Sequence, residues 1–352
     1  MTESPAARRV TLLVPGSLAT RTGGYGYDRD VLAGLRGLGW TTDVRELDGS
    51  FPFPTPAARE DAVRALAALP DDALVIADGL GFGALPDEAA REARRLRLIA
   101  LVHHPLAEET GLDLETSQRL KESERRALKA ARLVVVTSPA TGRRMPSYGV
   151  DGDRVRVIVP GTPNRPVAKG TGHHVALLCI ATLIERKGHH VLLDALATLR
   201  DLPWQLTCYG SHTLQRVSAD GIVAHGRSLG LDDRIRWAGE ADEATLWAAY
   251  DAADVFVLPT LHEGYGMVVA EAVACGLPVV STRVGGIPDL VSEDSGILVE
   301  PGDAAALAAA LRVVVGDPAA RARLRAGARE RRETLTRWPD AIHRWDSVLR
   351  EA

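Results

Sequence analysis

Cysteine is scarce in this chain: Cys179, Cys208 and Cys275 are the only three in 352 residues. The number is odd, each lies in an apolar run, and no two are spaced as metal ligands. They read as small core residues in a reducing compartment rather than as a disulfide framework. Long hydrophobic runs are missing as well. No stretch reaches the roughly 18 consecutive apolar residues of a membrane span. The start, MTESPAARRVTLLVPGS, turns polar at Pro15 after a run too short for the apolar region of a signal peptide. These absences predict a cytoplasmic protein. An excess of one charge is also lacking: the formal net charge of -4 offers no global field to nucleic acid. The basic clusters REARRLR (91–97) and RLKESERRALKAAR (119–132) read as solvated helix faces, the second interleaved with Glu122 and Glu124, so membrane contact is at most peripheral. Neither G-x-G-x-x-G nor a P-loop occurs, and Glu46 is the one strand-end acid about 20 residues beyond the glycine cluster, which weakens a nicotinamide reading.

What is present is a repeated alternation. Short, continuously apolar runs predict strands at 9–15, 42–47, 73–78, 98–104, 132–138 and 155–161, and again at 174–181, 204–210, 234–239, 254–260, 277–282 and 296–301. Runs of that kind suit strands buried on both faces of a parallel sheet. Helical patterns such as YDRDVLAGLRGLG (27–39), GHHVLLDALATLR (188–200) and DEATLWAAYDAA (242–253) lie between them and predict right-handed βα units. The expected fold class is α/β, with two doubly wound parallel-sheet domains. PGTPNRPVAKGTG (160–172) reads as their linker. The expected division is 1–163, 164–333, and a last helix in 334–352 packing back on the first domain. A ligand cleft is expected at the carboxyl ends of the strands.

Four stretches there carry chemistry. PGSLATRTGGYGYDRD holds Gly16, Gly23, Gly24 and Gly26 between a strand and a helix; without a Cβ, its amides can approach a diphosphate. The plain alternative is a flexible turn. ALVHHP (100–105) ends a strand on His103 and His104; adjacent residues alternate faces, so at most one of the two faces a ligand, a structural histidine being the plain alternative. Zinc would need further ligands, and none is suitably spaced. CIATLIERKGHH (179–190) delivers Arg186 and Lys187 before a helix, where cations can neutralise a leaving phosphate. LHEGYGMVVAEAVACGLPVVSTRVGGIPD (261–289) places Glu263 on a loop and Glu271 inside the following helix. With 46 acids in the chain, that spacing arises by chance about one time in eight, so its meaning comes from context. The amides of residues 265–267 open the helix between the two carboxylates and can take hydroxyl or phosphate oxygens. Such a set binds one face of a polyhydroxylated anion. The general acid and base of a hydrolase act from opposite sides of a bond instead.

RKGHHVLLDAL, HEGYGMVVAEAVACGLPVVSTRVGGIPDLV and GILVEPGDAAALAAAL resemble the retaining glycosyltransferases of the GT4 type, with the GT-B fold of two Rossmann-like domains. The resemblance runs through most of 174–318, with the E-x7-E block at 263–271 as its most specific part. It is looser in the first half, where it rests on the GG loop, VHH, VVVTSPAT and VIVPGT. It implies sugar transfer from a nucleotide diphosphate sugar, UDP- or GDP-linked, to an acceptor hydroxyl with retention. It implies neither metal nor cofactor, the donor being a co-substrate. Under it, Glu271 holds the ribose. Glu263 and the backbone of Gly264, Tyr265, Gly266 and Met267 hold the donor sugar. Lys187 and the amides near Gly23 and Gly24 contact the diphosphate. Gly239 and Glu240 take the base edge, with Tyr209 and Gly210 nearby. His103 approaches the sugar beside the reacting carbon, with His104 as its alternate. One departure stands out: the family's G-R-L is Ala181-Thr182-Leu183 here, and Arg186 is the cation available in place of the missing arginine. The expected acceptor is a small molecule or natural product, a lipid-linked acceptor being the other option. An epimerase of the same architecture and a catalytically silent nucleotide-sugar-binding partner are the competing readings.

Overall fold

The computed structural model describes residues 8–170, 172 and 174–352; the first seven residues, part of the segment read above for a leader, and positions 171 and 173 of the expected linker lie outside them. The chain divides into two compact units, one running to Gly161 and including Thr336–Ala352, the other spanning Thr162–Leu335.

In the first unit the strands are β1 (Arg9–Pro15), β2 (Thr41–Leu47), β3 (Leu74–Asp78), β4 (Arg97–Val102), β5 (Leu133–Val136) and β6 (Val155–Val157). They form one sheet in the order β2-β1-β3-β4-β5-β6, parallel at every pairing. In the second unit β7 (Val175–Ile180), β8 (Trp204–Tyr209), β9 (Ile235–Gly239), β10 (Val255–Leu258), β11 (Val279–Thr282) and β12 (Gly296–Val299) form a sheet of order β12-β11-β10-β7-β8-β9, also parallel. Each expected strand is present: β1 keeps its expected bounds, β2 and β4 begin one residue earlier than expected, β4 also ending at Val102, and the others are shortened at one or both ends. β5 and β10 are buried along their whole length, as continuous apolar runs require when helices cover both faces. Both units are Rossmann-like. Strand order reverses between β1 and β3 in the first sheet and between β7 and β10 in the second, the switch points where doubly wound sheets leave a crevice.

The last helix, Trp338–Glu351, buries Ala341, Ile342, Trp345, Val348 and Leu349 along one stripe, at the spacing of an amphipathic helix. It lies on the helix Gly23–Gly37, where a methyl group at Gly34 would fall 2.4 Å from Ile342 Cγ1. Trp345 Nε1 donates to the Tyr27 hydroxyl at 2.7 Å and Trp40 Nε1 to Asp346 at 2.8 Å. Burying side chains of this size is worth about 1.5–3 kcal/mol each. Among the described residues, no helix is long and apolar enough to cross a membrane.

One expectation needs correcting. Gly23 and Gly24 are not in the loop: they form the first turn of the helix Gly23–Gly37, capped by Thr22, whose side chain accepts from Tyr25 N at 3.3 Å. Glycine weakens helix interiors, but at the first two positions a threonine cap supplies what glycine withholds.

Candidate functional site

The second unit's site is built at the carboxyl ends of β7 and β10. After β7 the chain passes Thr182 and makes a 3-10 turn at Glu185–Lys187. Gly188, at φ 70°, sits so close to the exit of β10 that a methyl group there would lie 1.9 Å from the Pro259 carbonyl oxygen. The Arg186 carbonyl accepts from Leu261 N at 2.7 Å and from Thr260 Oγ1 at 3.1 Å. This lacing brings Lys187 Nζ to 2.6 Å from Glu263 Oε2, both side chains about one-seventh exposed, at 15% and 14%. A charge pair so far removed from water gains its attraction only with close geometry, which these two have. Arg186 is directed to the same loop, Nη1 donating to the His262 carbonyl at 3.1 Å.

The far side of that loop is held by glycine. A methyl group at Gly285 would meet the Glu263 carbonyl oxygen at 1.6 Å, and Gly286 N donates to the Gly264 carbonyl at 3.1 Å. Gly266 then takes φ 94°, a left-handed conformation, to launch the helix Met267–Ala274, which has no side-chain cap. Its opening amides are the orphan donors of any helix start. The Tyr265 ring is buried, so this residue offers the site its backbone. Glu271, in the same helix, accepts from the Tyr250 hydroxyl at 2.8 Å. On the β8 side, Gly210 N donates to the Gly239 carbonyl at 2.9 Å, and a methyl group at Gly210 would lie 1.9 Å from the Ala181 oxygen. Tyr209 ends β8, and Gly239, at φ 72°, turns the chain from β9 into exposed Glu240.

The first unit gathers a second group at its own switch point. His103, just beyond β4, places Nε2 at 3.3 Å from Asp28 Oδ1 and 3.4 Å from Asp78 Oδ2. Asp78 ends β3 and its other oxygen accepts from Leu80 N at 2.8 Å. A methyl group at Gly24 would touch the imidazole at 3.4 Å from Cδ2, so the opening turn of the helix Gly23–Gly37 lies on the ring. Burial alone would pull the imidazole pKa down; the two carboxylates beside Nε2, Asp28 foremost, override it and push it up to about 10. Burial raises the Asp28 carboxyl, and the imidazolium pulls it partly back. His104 turns away to Glu109, at 3.2 Å. Among the described residues, Asp28, Asp78 and His103 are the one set of three Asp, Glu, His or Cys ligand atoms within 4.8 Å of one another. Both aspartates approach the single nitrogen Nε2 at ion-pair distance, with no hydrogen bond of ordinary geometry from it to either.

Residues 26–163 match the family model described as Glycosyltransferase Family 4, and residues 174–317 the one described as Glycosyl transferases group 1. The chain belongs to the GT4-type glycosyltransferase family. Among curated members, it is similar to the D-inositol 3-phosphate glycosyltransferase of Pseudarthrobacter chlorophenolicus, at 33% identity over 66% of this chain and 61% of the relative. It is also similar to that of Corynebacterium diphtheriae, at 29% identity over 74% of this chain and 67% of the relative. The chain thus spans about three fifths to two thirds of the length of these relatives. Its fold is that of sucrose-phosphate synthase from Thermosynechococcus elongatus, at TM-score 0.83 and 22% identity over 98% of both chains. Anabaena HepE in complex with UDP and glucose matches at TM-score 0.78 and 18% identity, over 97% of this chain and 99% of that one. These are GT-B structures.

Within this GT4-type chain, the residues singled out from sequence fall into two groups. Lys187, Arg186, Glu263, Gly264, Tyr265, Gly266, Met267 and Glu271 lie along two laced connections of the second unit, with Tyr209, Gly210, Gly239 and Glu240 at the ends of the neighbouring strands. Gly23, Gly24 and His103 meet in the first unit. Sequence reasoning missed Asp28, Asp78 and Tyr250. Asp78 had a signal, a carboxylate closing the apolar run ALVIAD. Asp28 and Tyr250 had none beyond falling on the buried faces of their helices. Glu46 proves structural, its Oε1 accepting from Leu18 N at 2.8 Å and Ser17 Oγ at 3.2 Å and so pinning the loop after β1.

Proposed function

We propose that this chain transfers a sugar from a nucleotide diphosphate sugar, UDP- or GDP-linked, to a hydroxyl of a small-molecule acceptor, with retention and without a metal ion or other cofactor. The observation that carries the reading is the Lys187–Glu263 pair, 2.6 Å apart beside the uncapped helix start at Gly266, with Glu271 held by Tyr250 one turn further on. In the second unit, the donor unit, Glu271 takes the ribose hydroxyls. Glu263 and the backbone of 264–267 take the sugar, and Lys187 the diphosphate. Gly239 and Glu240, near Tyr209 and Gly210, take the base edge. In the first unit, the acceptor unit, the amides of Gly23 and Gly24 take diphosphate oxygens and His103 the sugar beside the reacting carbon. The curated relatives are named for D-inositol 3-phosphate, which supports a small polyol acceptor over a lipid-linked one or a nucleic acid.

The acceptor hydroxyl attacks the anomeric carbon on the face the diphosphate leaves, and the departing phosphate takes its proton. The protein supplies positioning and electrostatic stabilisation of the charge growing on the leaving group. An epimerase would need free acid and base groups flanking the sugar; Lys187 and Glu263 are engaged with each other, and His103 lies between two carboxylates. The second reading, a silent nucleotide-sugar-binding partner, is favoured by Thr182 at the place of the family's arginine.

A thermal-shift panel of UDP, GDP, ADP, dTDP and CDP on wild type and Glu271→Ala is the first test. A nucleotide at a hundredfold its Kd adds about 2.7 kcal/mol, roughly 5–10 °C for a unit of this size. One nucleotide shifting the wild type but not the variant supports the donor site, and turnover with that donor separates enzyme from silent partner. No shift with any of the five overturns the reading.

A further inference from the structure

Two buried carboxylates meet one ring nitrogen in the first unit. Asp28 and Asp78, both 2% exposed, approach His103 Nε2 at 3.3 and 3.4 Å. The two differ in what holds them: both Asp28 oxygens are buried without a hydrogen-bond partner among the described residues. Asp78 is held by its bond from Leu80 N. Asp28 follows Tyr27, whose hydroxyl donates to the Ile158 carbonyl at 3.0 Å and accepts from Trp345 Nε1 at 2.7 Å. The Tyr27 ring also meets the imidazole at 5.6 Å between centroids and 89° between planes, and Gly24 lies against its Cδ2 edge. The ring is therefore held on two sides by packing and at Nε2 by charge.

We propose that Asp28 and Asp78 are positioning residues that hold His103 by Nε2, keep its ring charged, and leave Nδ1–H as a hydrogen-bond donor to the substrate. A neutral imidazole could serve as a base; one clamped between two carboxylates cannot, because losing its proton leaves two buried anions facing each other. The other titratable groups nearby do not change this. Arg29 lies next to Asp28 and bonds the Leu18 carbonyl at 2.6 Å. Tyr25 stays neutral, since burial and the charges of Asp78, Asp28 and Glu46 push its hydroxyl up to about 12. His104 pairs with Glu109.

The inference rests on the proposed placing of His103 at the sugar, but the state of the ring is readable without turnover. The experiment is nitrogen NMR of the full chain with 15N-labelled histidine, the His103 signals assigned by difference from His103→Gln. Both ring nitrogens are expected to stay protonated from pH 5.5 to 8.5. In Asp28→Asn the ring is expected to titrate within that range. The variant's kcat/KM then falls about tenfold as pH rises from 6 to 8.5, while the wild type changes less than about twofold. Asp78→Asn, which retains an acceptor for Leu80 N, is the second variant should Asp28→Asn fail to fold. A wild-type ring that titrates near 6.5, an unprotonated Nε2, or a stoichiometric metal on that nitrogen overturns the inference. So does a folded Asp28→Asn whose ring stays fully protonated. Absence of turnover with every donor would count against the transferase reading and leave the NMR result on the two aspartates standing.

Discussion

The Tyr250 hydroxyl donates to Glu271 Oε2 at 2.8 Å from a ring with no exposed surface. The same hydroxyl reaches the Val268 carbonyl at 3.1 Å. Burial first, then the charge and hydrogen bond of Glu271, raise the Tyr250 pKa well above the ordinary phenol. Tyr250 is therefore a permanent donor, and it orients the Glu271 carboxylate.

Tyr250→Phe frees that carboxylate to rotate without changing its charge. A hydrogen bond to a charged group is worth about 1.5–3 kcal/mol, so nucleotide Kd is expected to weaken about tenfold or more, with kcat altered much less. Calorimetric titration of UDP or GDP into the variant measures this. An unchanged Kd would mean that Glu271 holds no ribose or needs no orienting.

Lys187 and Glu263 are expected to act as one unit. Either Lys187→Ala or Glu263→Gln should lower kcat/KM by about 10²-fold or more, the scale of losing one preorganised electrostatic contact. The double variant should be little worse than the poorer single, because each change already breaks the same pair. Losses that multiply in the double variant would show that the 2.6 Å contact is incidental to the reaction.

Gly285→Ala tests whether the loop carrying Glu263 is locked by backbone contact. Its φ of 51° is strained for any side chain, and the new methyl would fall 1.6 Å from the Glu263 carbonyl oxygen. The expected loss is about 3 kcal/mol or more, some 6–12 °C in thermal unfolding. Gly302→Ala is the control: φ is 80° there, with nothing within 4 Å of the added carbon, so only strain of about 1–2 kcal/mol remains. Equal losses in the two variants would dismiss the lock.

The strands were legible because their chemistry is local: VFVL and LVVV can be buried on both faces only inside a parallel sheet. The loops of the second unit were legible for a similar reason, since Gly266 and the carboxylates around it lie within one short connection. The first turn at Gly23 was misplaced because glycine argues against a helix, and the compensating Thr22–Tyr25 bond is invisible until the chain turns. Asp28, Asp78 and His103 stand on three different elements, and only the strand order β1-β3-β4 brings them together. Tyr250 and Glu271 likewise meet through packing of two helices, which no spacing in the sequence announces.

Glu124 should make the protein less stable as pH rises. It is fully buried in the helix Leu114–Ala130; Oε2 accepts from Leu106 N at 2.9 Å, while Oε1 is buried without a partner among the described residues. Burial pushes its carboxyl up to about 8, opposed by the Leu106 amide and reinforced by Glu108. The folded state therefore binds a proton that the unfolded state releases near its ordinary value of about 4.3. Stability is then expected to fall as pH rises between those two values, by up to about 1.4 kcal/mol per pH unit, and to level off above the upper one. Glu124→Gln keeps the acceptor for Leu106 N and carries no charge at any pH, so this contribution to the slope should vanish and the variant should be the more stable protein at pH 8. Urea unfolding of both proteins at pH 5, 6.5 and 8 gives the comparison. If wild type and variant keep the same stability difference at all three, Glu124 is ionised in the fold and its buried environment is more polar than its contacts indicate.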